Sequence, residues 1–211
     1  MRIDLHPDTP QDRLLRQAAE VLQKGGVIIY PTDTLYGFGC DITNKKAVNR
    51  ICQIKGIDPQ KASLSCVCED LKIIATYANH VSTPVYKLMR NALPGPYTFI
   101  LEASKGIPRH FQTKKTVGIR VPDHPVPIRL ANLIGGPIAS ISLPMDDEEV
   151  EIYSDPHEID DRYGKLVDLF LDVGFGGITP STVIDCSKGE DEISIIREGA
   201  GSLDALGLEL E

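Results

Sequence analysis

The residues best equipped for chemistry fall in short polar or glycine-rich segments, most of them where a strand-like run ends. Pro31-Thr32-Asp33-Thr34-Leu35-Tyr36-Gly37-Phe38-Gly39 gathers two threonine hydroxyls, a carboxylate and a phenol. Gly37 and Gly39 let the backbone come close to a neighbour. Such a stretch either binds a ligand or is a turn held by its own side chains. Lys55 ends a helical run just before Gly56. An ammonium there either covers the last helix carbonyls or reaches a phosphate. In Gly118-Ile119-Arg120-Val121-Pro122 an arginine is set into an apolar strand. Its planar fork suits a carboxylate or phosphate, and a structural ion pair is the competing use. Ser140 and Ser142 alternate along a strand and so share a face. Leu93-Pro94-Gly95-Pro96-Tyr97-Thr98, Pro180-Ser181-Thr182-Val183-Ile184-Asp185 and Arg197-Glu198-Gly199 complete the set. Together they describe a pocket for an oxyanion at strand ends, where α/β folds place ligands.

Several familiar chemistries are excluded. No Walker A loop (G-x-x-x-x-G-K-S/T), G-x-G-x-x-G fingerprint, G-x-S-x-G elbow or H-E-x-x-H motif occurs. The five cysteines, Cys40, Cys52, Cys66, Cys68 and Cys186, show no metal-binding spacing and read as buried reduced thiols. No metal site is expected within the protein itself. The formal charge of −8 argues against a nucleic-acid binder that works through its global field. The acidic run Asp146, Asp147, Glu148, Glu149 and Glu151 reads as a solvated loop. No apolar stretch is long enough to span a membrane and no secretory signal opens the chain, so a cytoplasmic protein is expected.

The elements that must position these residues are legible from periodicity. Thr9 is placed to cap a first helix that begins near Pro10, carries Leu14, Ala18, Val21 and Leu22 on one face, and ends at Gly25-Gly26. Further helices are expected at Asn44–Ile54, Leu71–Ala78, Thr83–Leu93, Val126–Ile134 and Pro156–Tyr163. Strands are expected at Val27–Tyr30, Leu64–Cys68, Tyr97–Glu102, Val117–Val121, Pro137–Ile141, Val167–Val173, Thr182–Asp185 and Ile193–Arg197. Helices intermixed with about eight strands predict an α/β protein with an open, twisted, mixed sheet. No linker or repeat divides residues 1–211, so a single domain is expected.

Taken in order, PTDTLYGFGCD, Lys55, LPGPYTFIL, GIRVPDHP, the paired serines, STVID and REG resemble the YrdC family over nearly the whole chain. The resemblance implies an open α/β sheet of the YrdC/RibB-like type, without the additional C-terminal domain of the longer members. It implies threonylcarbamoyl-AMP synthesis from L-threonine, bicarbonate and ATP with Mg²⁺, linked to tRNA modification. It also implies double-stranded RNA or tRNA as partners. Carried onto this sequence, Thr32, Tyr36, Arg120 and Ser181 would hold threonine, and Lys55, Ser140, Ser142 and Arg197 would line the ATP site. No protein nucleophile or base is implied. The threonine carbamate attacks the α-phosphorus, and the protein aligns two anions and neutralises developing charge.

Two departures stand out. The synthases carry K-x-R, and here Ile57 follows Lys55-Gly56; they carry S-x-N, and here Ser142 follows Ser140-Ile141. Each change removes a donor from the nucleotide site. Both are shared with the YciO branch, which the HPDTPQDRL segment also resembles. The alternatives to synthesis are nucleotide or double-stranded RNA binding without turnover, and hydrolysis of threonylcarbamoyl-AMP.

Overall fold

The structure, a computed structural model, describes residues 1–111, 115–144 and 153–208. The acidic run at Asp146–Glu151 lies outside the described residues. Among the described residues ten strands form one mixed sheet in the order β1-β8-β2-β3-β7-β4-β6-β5-β9-β10. They are β1 (Arg2–Asp4), β2 (Ile28–Tyr30), β3 (Gly37–Asp41), β4 (Ser65–Val67), β5 (Tyr97–Glu102), β6 (Thr116–Arg120), β7 (Ile138–Ser142), β8 (Leu169–Asp172), β9 (Thr182–Asp185) and β10 (Ser194–Arg197). Parallel pairs (β1/β8, β2/β8, β4/β6, β5/β9) are mixed with antiparallel ones. Two of the ten strands go beyond the sequence reading. β1 is only three residues long, and β3 is built from the end of the glycine-rich segment expected either to bind a ligand or to form a turn.

The helices follow their apolar spacing and their caps. Along α1 (Asp12–Gln23), Leu15, Ala18, Ala19 and Leu22 are buried at successive turns. Thr9 is not its cap. Gln11 holds that position without a side-chain bond, while the Thr9 amide donates to His6 Nδ1, 3.1 Å from it. Thr9 therefore braces the segment ahead of the helix. In α2 (Lys45–Lys55), Asn44 accepts from the amides of Lys46 and Ala47, and Gly56 closes the helix at φ 73°. The Leu71–Ala78 helix resolves into a 3₁₀ turn (Leu71–Ile73) and a short α3 (Ile74–Tyr77). α4 (Thr83–Ala92), α5 (Pro125–Ile134) and α6 (Pro156–Tyr163) lie within two residues of expectation. Among the described residues no helix is long and apolar enough to cross a membrane.

Both faces of the sheet are packed. On one, α2, α4 and α6 cover Phe38, Phe99, Ile119 and their neighbours, including Cys66 and Cys68, which share that face as their spacing requires. On the other, α1 and α5 cover Tyr30, Val67, Ile138, Leu169 and Leu171. All five cysteines are free and buried. Each fully buried aliphatic or aromatic side chain contributes roughly 1.5–3 kcal/mol.

The second face is covered over only part of its width. In β4, Val67 pairs with Ile138 of β7 and Arg120 of β6. Two residues earlier, Ser65 pairs with Ser140 and Gly118. All these residues point the same way, because side-chain direction repeats every second residue. The helices cover the Val67–Ile138 row and leave the Ser65–Ser140–Gly118 row open. That opening is the candidate functional site.

Candidate ligand pocket on the open sheet face

The pocket has a volume of about 480 Å³, enough for a ligand of nucleotide size. Its floor is the small polar row of Ser65, Gly118, Ser140 and Ser142, extended by Thr98, Val183 and Asp185. The alternation on β4 is the signal that could have picked out Ser65: Cys66 and Cys68 take the core face, so Ser65 takes the other. The walls are the Thr32–Gly37 segment, Phe111 with His110, and the Pro180–Ser181 turn.

Of the two competing uses of Arg120, the structure shows the ion pair, and it sets the same side chain in the lining of the pocket. Its side chain is 12% exposed and its Nη2 donates to Asp33 Oδ1 (2.8 Å) and Thr34 Oγ1 (3.1 Å). The other Asp33 oxygen accepts from the Asp123 amide at 3.0 Å. The ion pair thus ties the wall segment to the loop after β6 and fixes the guanidinium at the pocket. Arg120 Nε is buried and has no hydrogen-bond partner among the described residues. A buried guanidinium N–H without an acceptor is costly, and it leaves one donor available to an oxygen from outside the protein.

Arg197 reaches the same end of the pocket from β10. Its Nε and Nη2 donate to the Ser181 carbonyl at 3.1 and 2.8 Å. Burial, and then the like charge of Arg120, lower its pKa, so the two guanidiniums feel each other. Ser181 Oγ is 2.9 Å from Thr98 Oγ1. Two guanidiniums beside hydroxyls give this end of the pocket the chemistry to take an anion.

The remaining expected residues are placed differently. Thr32 Oγ1 donates to the Leu35 carbonyl (2.7 Å), and the Tyr36 hydroxyl donates to the Gly174 carbonyl (2.8 Å) while accepting from the Val173 amide (3.0 Å). Burial pushes the Tyr36 phenol far above its ordinary range. Both line the pocket, but their hydroxyls hold the wall rather than face a ligand. Lys55 is not among the lining residues. Its ammonium donates to the carbonyls of Ser142 (2.5 Å) and Leu143 (3.0 Å), clasping the end of β7 from behind. Burial lowers its pKa to about 8. Ser140 and Ser142 both face the pocket as their alternation predicts. Among the described residues no cluster of three or more His, Cys, Asp or Glu could hold a metal alone. A Mg²⁺ accompanying ATP binds mainly through phosphates with one or two carboxylates. Asp185 is the lining carboxylate that fits that need.

The Sua5/YciO/YrdC family profile, described as telomere recombination, matches residues 20–199. The chain belongs to this family. YciO of Escherichia coli is 43% identical over 94% of this chain and 95% of its own length. The crystal structure of E. coli YciO superposes with a TM-score of 0.88 at 41% identity, covering 98% of each chain. A threonylcarbamoyl-AMP synthase from Bos taurus is 32% identical over 88% of this chain and 67% of its own. P. abyssi Sua5, in a crystal structure complexed with L-threonine, superposes with a TM-score of 0.82 at 25% identity. The match covers 97% of this chain and 59% of that one. The open mixed sheet is therefore the Sua5/YciO/YrdC fold.

Proposed function

We propose that the pocket takes an amino-acid carboxylate at Arg120 and an adenylate over the serine row, and that the protein acts in threonylcarbamoyl-AMP chemistry. The observation that carries this reading is the buried Nε of Arg120, without a hydrogen-bond partner among the described residues, held beside Arg197 at one end of a pocket with a row of hydroxyls. The named synthase relatives and the threonine complex of P. abyssi Sua5 support the substrate class. In the synthetic direction, the carbamate of L-threonine, formed with bicarbonate, attacks the α-phosphorus of ATP and pyrophosphate leaves. The protein's part is alignment: Arg120 orients the carboxylate, Arg197 meets the phosphoryl charge, and the floor hydroxyls donate to the remaining oxygens. The formal charge of −8 favours a small anion in a local cationic pocket over a nucleic-acid duplex.

A second direction is favoured by Lys55. With its ammonium on two backbone carbonyls and Ile57 lacking a guanidinium, the pocket offers its two arginines to anions. That matches one carboxylate and one phosphate, the pair in threonylcarbamoyl-AMP, better than it matches a triphosphate. The intermediate is then held more tightly than ATP and turned over by water. Two incubations separate the directions: protein with ATP, L-threonine and bicarbonate, and protein with threonylcarbamoyl-AMP, each followed by chromatography. Pyrophosphate release supports synthesis, and accelerated loss of threonylcarbamoyl-AMP supports hydrolysis. If neither changes, and neither AMP nor threonine binds, the reading is wrong.

A further inference from the structure

Tyr30 stands at the seam between the covered and the open parts of the second sheet face. Its side chain is fully buried in the core under α1 and α5. Its hydroxyl nonetheless leaves that core and donates to Ser140 Oγ, in the pocket floor, at 2.7 Å. The path crosses a whole strand, because β3 lies between β2 and β7. Gly39 of β3 pairs with Ser140, and a Cβ at Gly39 would lie 2.7 Å from Tyr30 Cε1. Only glycine leaves room for the ring to pass. Gly37 does the complementary service on the pocket side. A Cβ there would lie 3.5 Å from Ser140 Oγ, so its absence keeps the hydroxyl open to the cavity. The two glycines of the Gly37-Phe38-Gly39 segment thus clear the back and the front of one serine.

Proton counting gives the direction of the relay. A tyrosine hydroxyl and a serine hydroxyl each carry one proton. Among the described residues Tyr30 has no other hydrogen-bond partner, so its proton must lie on Ser140 to be satisfied. Burial lifts the Tyr30 phenol to about 12, which keeps that proton in place at neutral pH. Ser140 is therefore obliged to accept from behind, and its own proton is turned toward the pocket. We propose that Tyr30 is a positioning residue, which holds the Ser140 hydroxyl as a fixed donor toward an anionic oxygen of the ligand. A donor fixed before binding loses less freedom when the ligand arrives, and a chain of two hydroxyls polarises the terminal one. The inference rests on the reading of the pocket as an adenylate site.

A double-mutant cycle with AMP, read by isothermal titration calorimetry, tests it. Tyr30→Phe removes one oxygen and keeps the ring, and should weaken AMP about three- to tenfold. In a Ser140→Ala background the same change should weaken AMP no further, because the tyrosine acts only through that serine. Thermal melting of all four proteins separates lost affinity from lost fold. Tyr30→Phe that binds AMP as tightly as wild type overturns the inference, as does an equal loss in both backgrounds. Wild type that binds no AMP removes the adenylate reading, and this inference with it.

Discussion

Two rows of the same sheet face, one step apart along the same strands, have opposite chemistry. Val67 and Ile138 are fully buried beneath α5, whereas Ser65, Ser140 and Gly118 floor a cavity. Backbone pairing is continuous through both rows. The difference lies entirely in side chains: the β-branched row is large enough to carry a helix layer, and the small polar row is too small to fill the space above it. Burying that polar row under a helix would strand hydroxyls without partners. The lesson is that polarity along a strand, taken with its pairing register, marks where covering layers stop.

Arg120 belongs to both rows, since it pairs with Val67 in register and lines the pocket. Breaking it should have the largest effect. Arg120→Ala leaves Asp33, whose side chain is 7% exposed, without its cation, and should cost about 3–5 kcal/mol in chemical denaturation. Arg120→Lys keeps the charge but loses the fork, and should fold while weakening threonine binding about ten- to a hundredfold. A fully stable Arg120→Ala that binds normally would show that the guanidinium matters to neither row.

Exchanging the rows tests the comparison directly. Val67→Ser buries a hydroxyl under α5 and removes two methyl groups, and should destabilise by about 2–4 kcal/mol. Ser65→Val, the reverse change on the open row, should stay within about 1 kcal/mol, because a β-branched residue suits a strand facing a cavity. Urea titrations of the two variants give both numbers. Equal costs would mean that the open row is not open.

Lys55 gives the smallest expected effect. Its folded pKa, about 8, lies below the 10.5 of an ordinary lysine. Between those values the unfolded chain binds more protons than the folded one. Its contribution to stability therefore rises as pH increases from about 8 towards 10.5, and is least favourable below 8. Urea midpoints at pH 7.5 and 9.5 should differ in this sense for wild type. Lys55→Met should remove the difference, and an unchanged pH response in that variant would assign it to other groups.

Much of this was legible in the sequence. The positions of most helices, and the alternation that sets Ser140 and Ser142 on one face, follow from periodicity alone, whereas the buried face of α1 runs through Leu15 and Ala19 rather than the expected Leu14 and Val21. β3 was not legible, because its glycines are there for Tyr30 and Ser140, neighbours two strands apart in pairing and far apart in sequence. The Asp33–Arg120 pair and the Lys55 clasp were hidden for the same reason: each joins residues more than 80 positions apart. Thr9 was read as a cap from local pattern, and the His6 ring, three residues earlier, holds it elsewhere. Sequence reading located the polar residues; only the packed sheet shows which hydroxyls are bonded within the wall and which face the cavity.

The central claim is that the open row forms the floor of a site for a carboxylate and an adenylate, and Gly118 offers the most direct test. A Cβ at Gly118 meets Ser65 Cβ and Thr98 Cγ2 at 3.4 Å, the edge of ordinary contact, so Gly118→Val should fold while its branched side chain rises into the pocket. Titration calorimetry of AMP and of L-threonine into wild type and this variant is the measurement. The account predicts that wild type binds both ligands, and that Gly118→Val binds neither although its melting temperature is unchanged. Equal binding of AMP and threonine by the two proteins would contradict it.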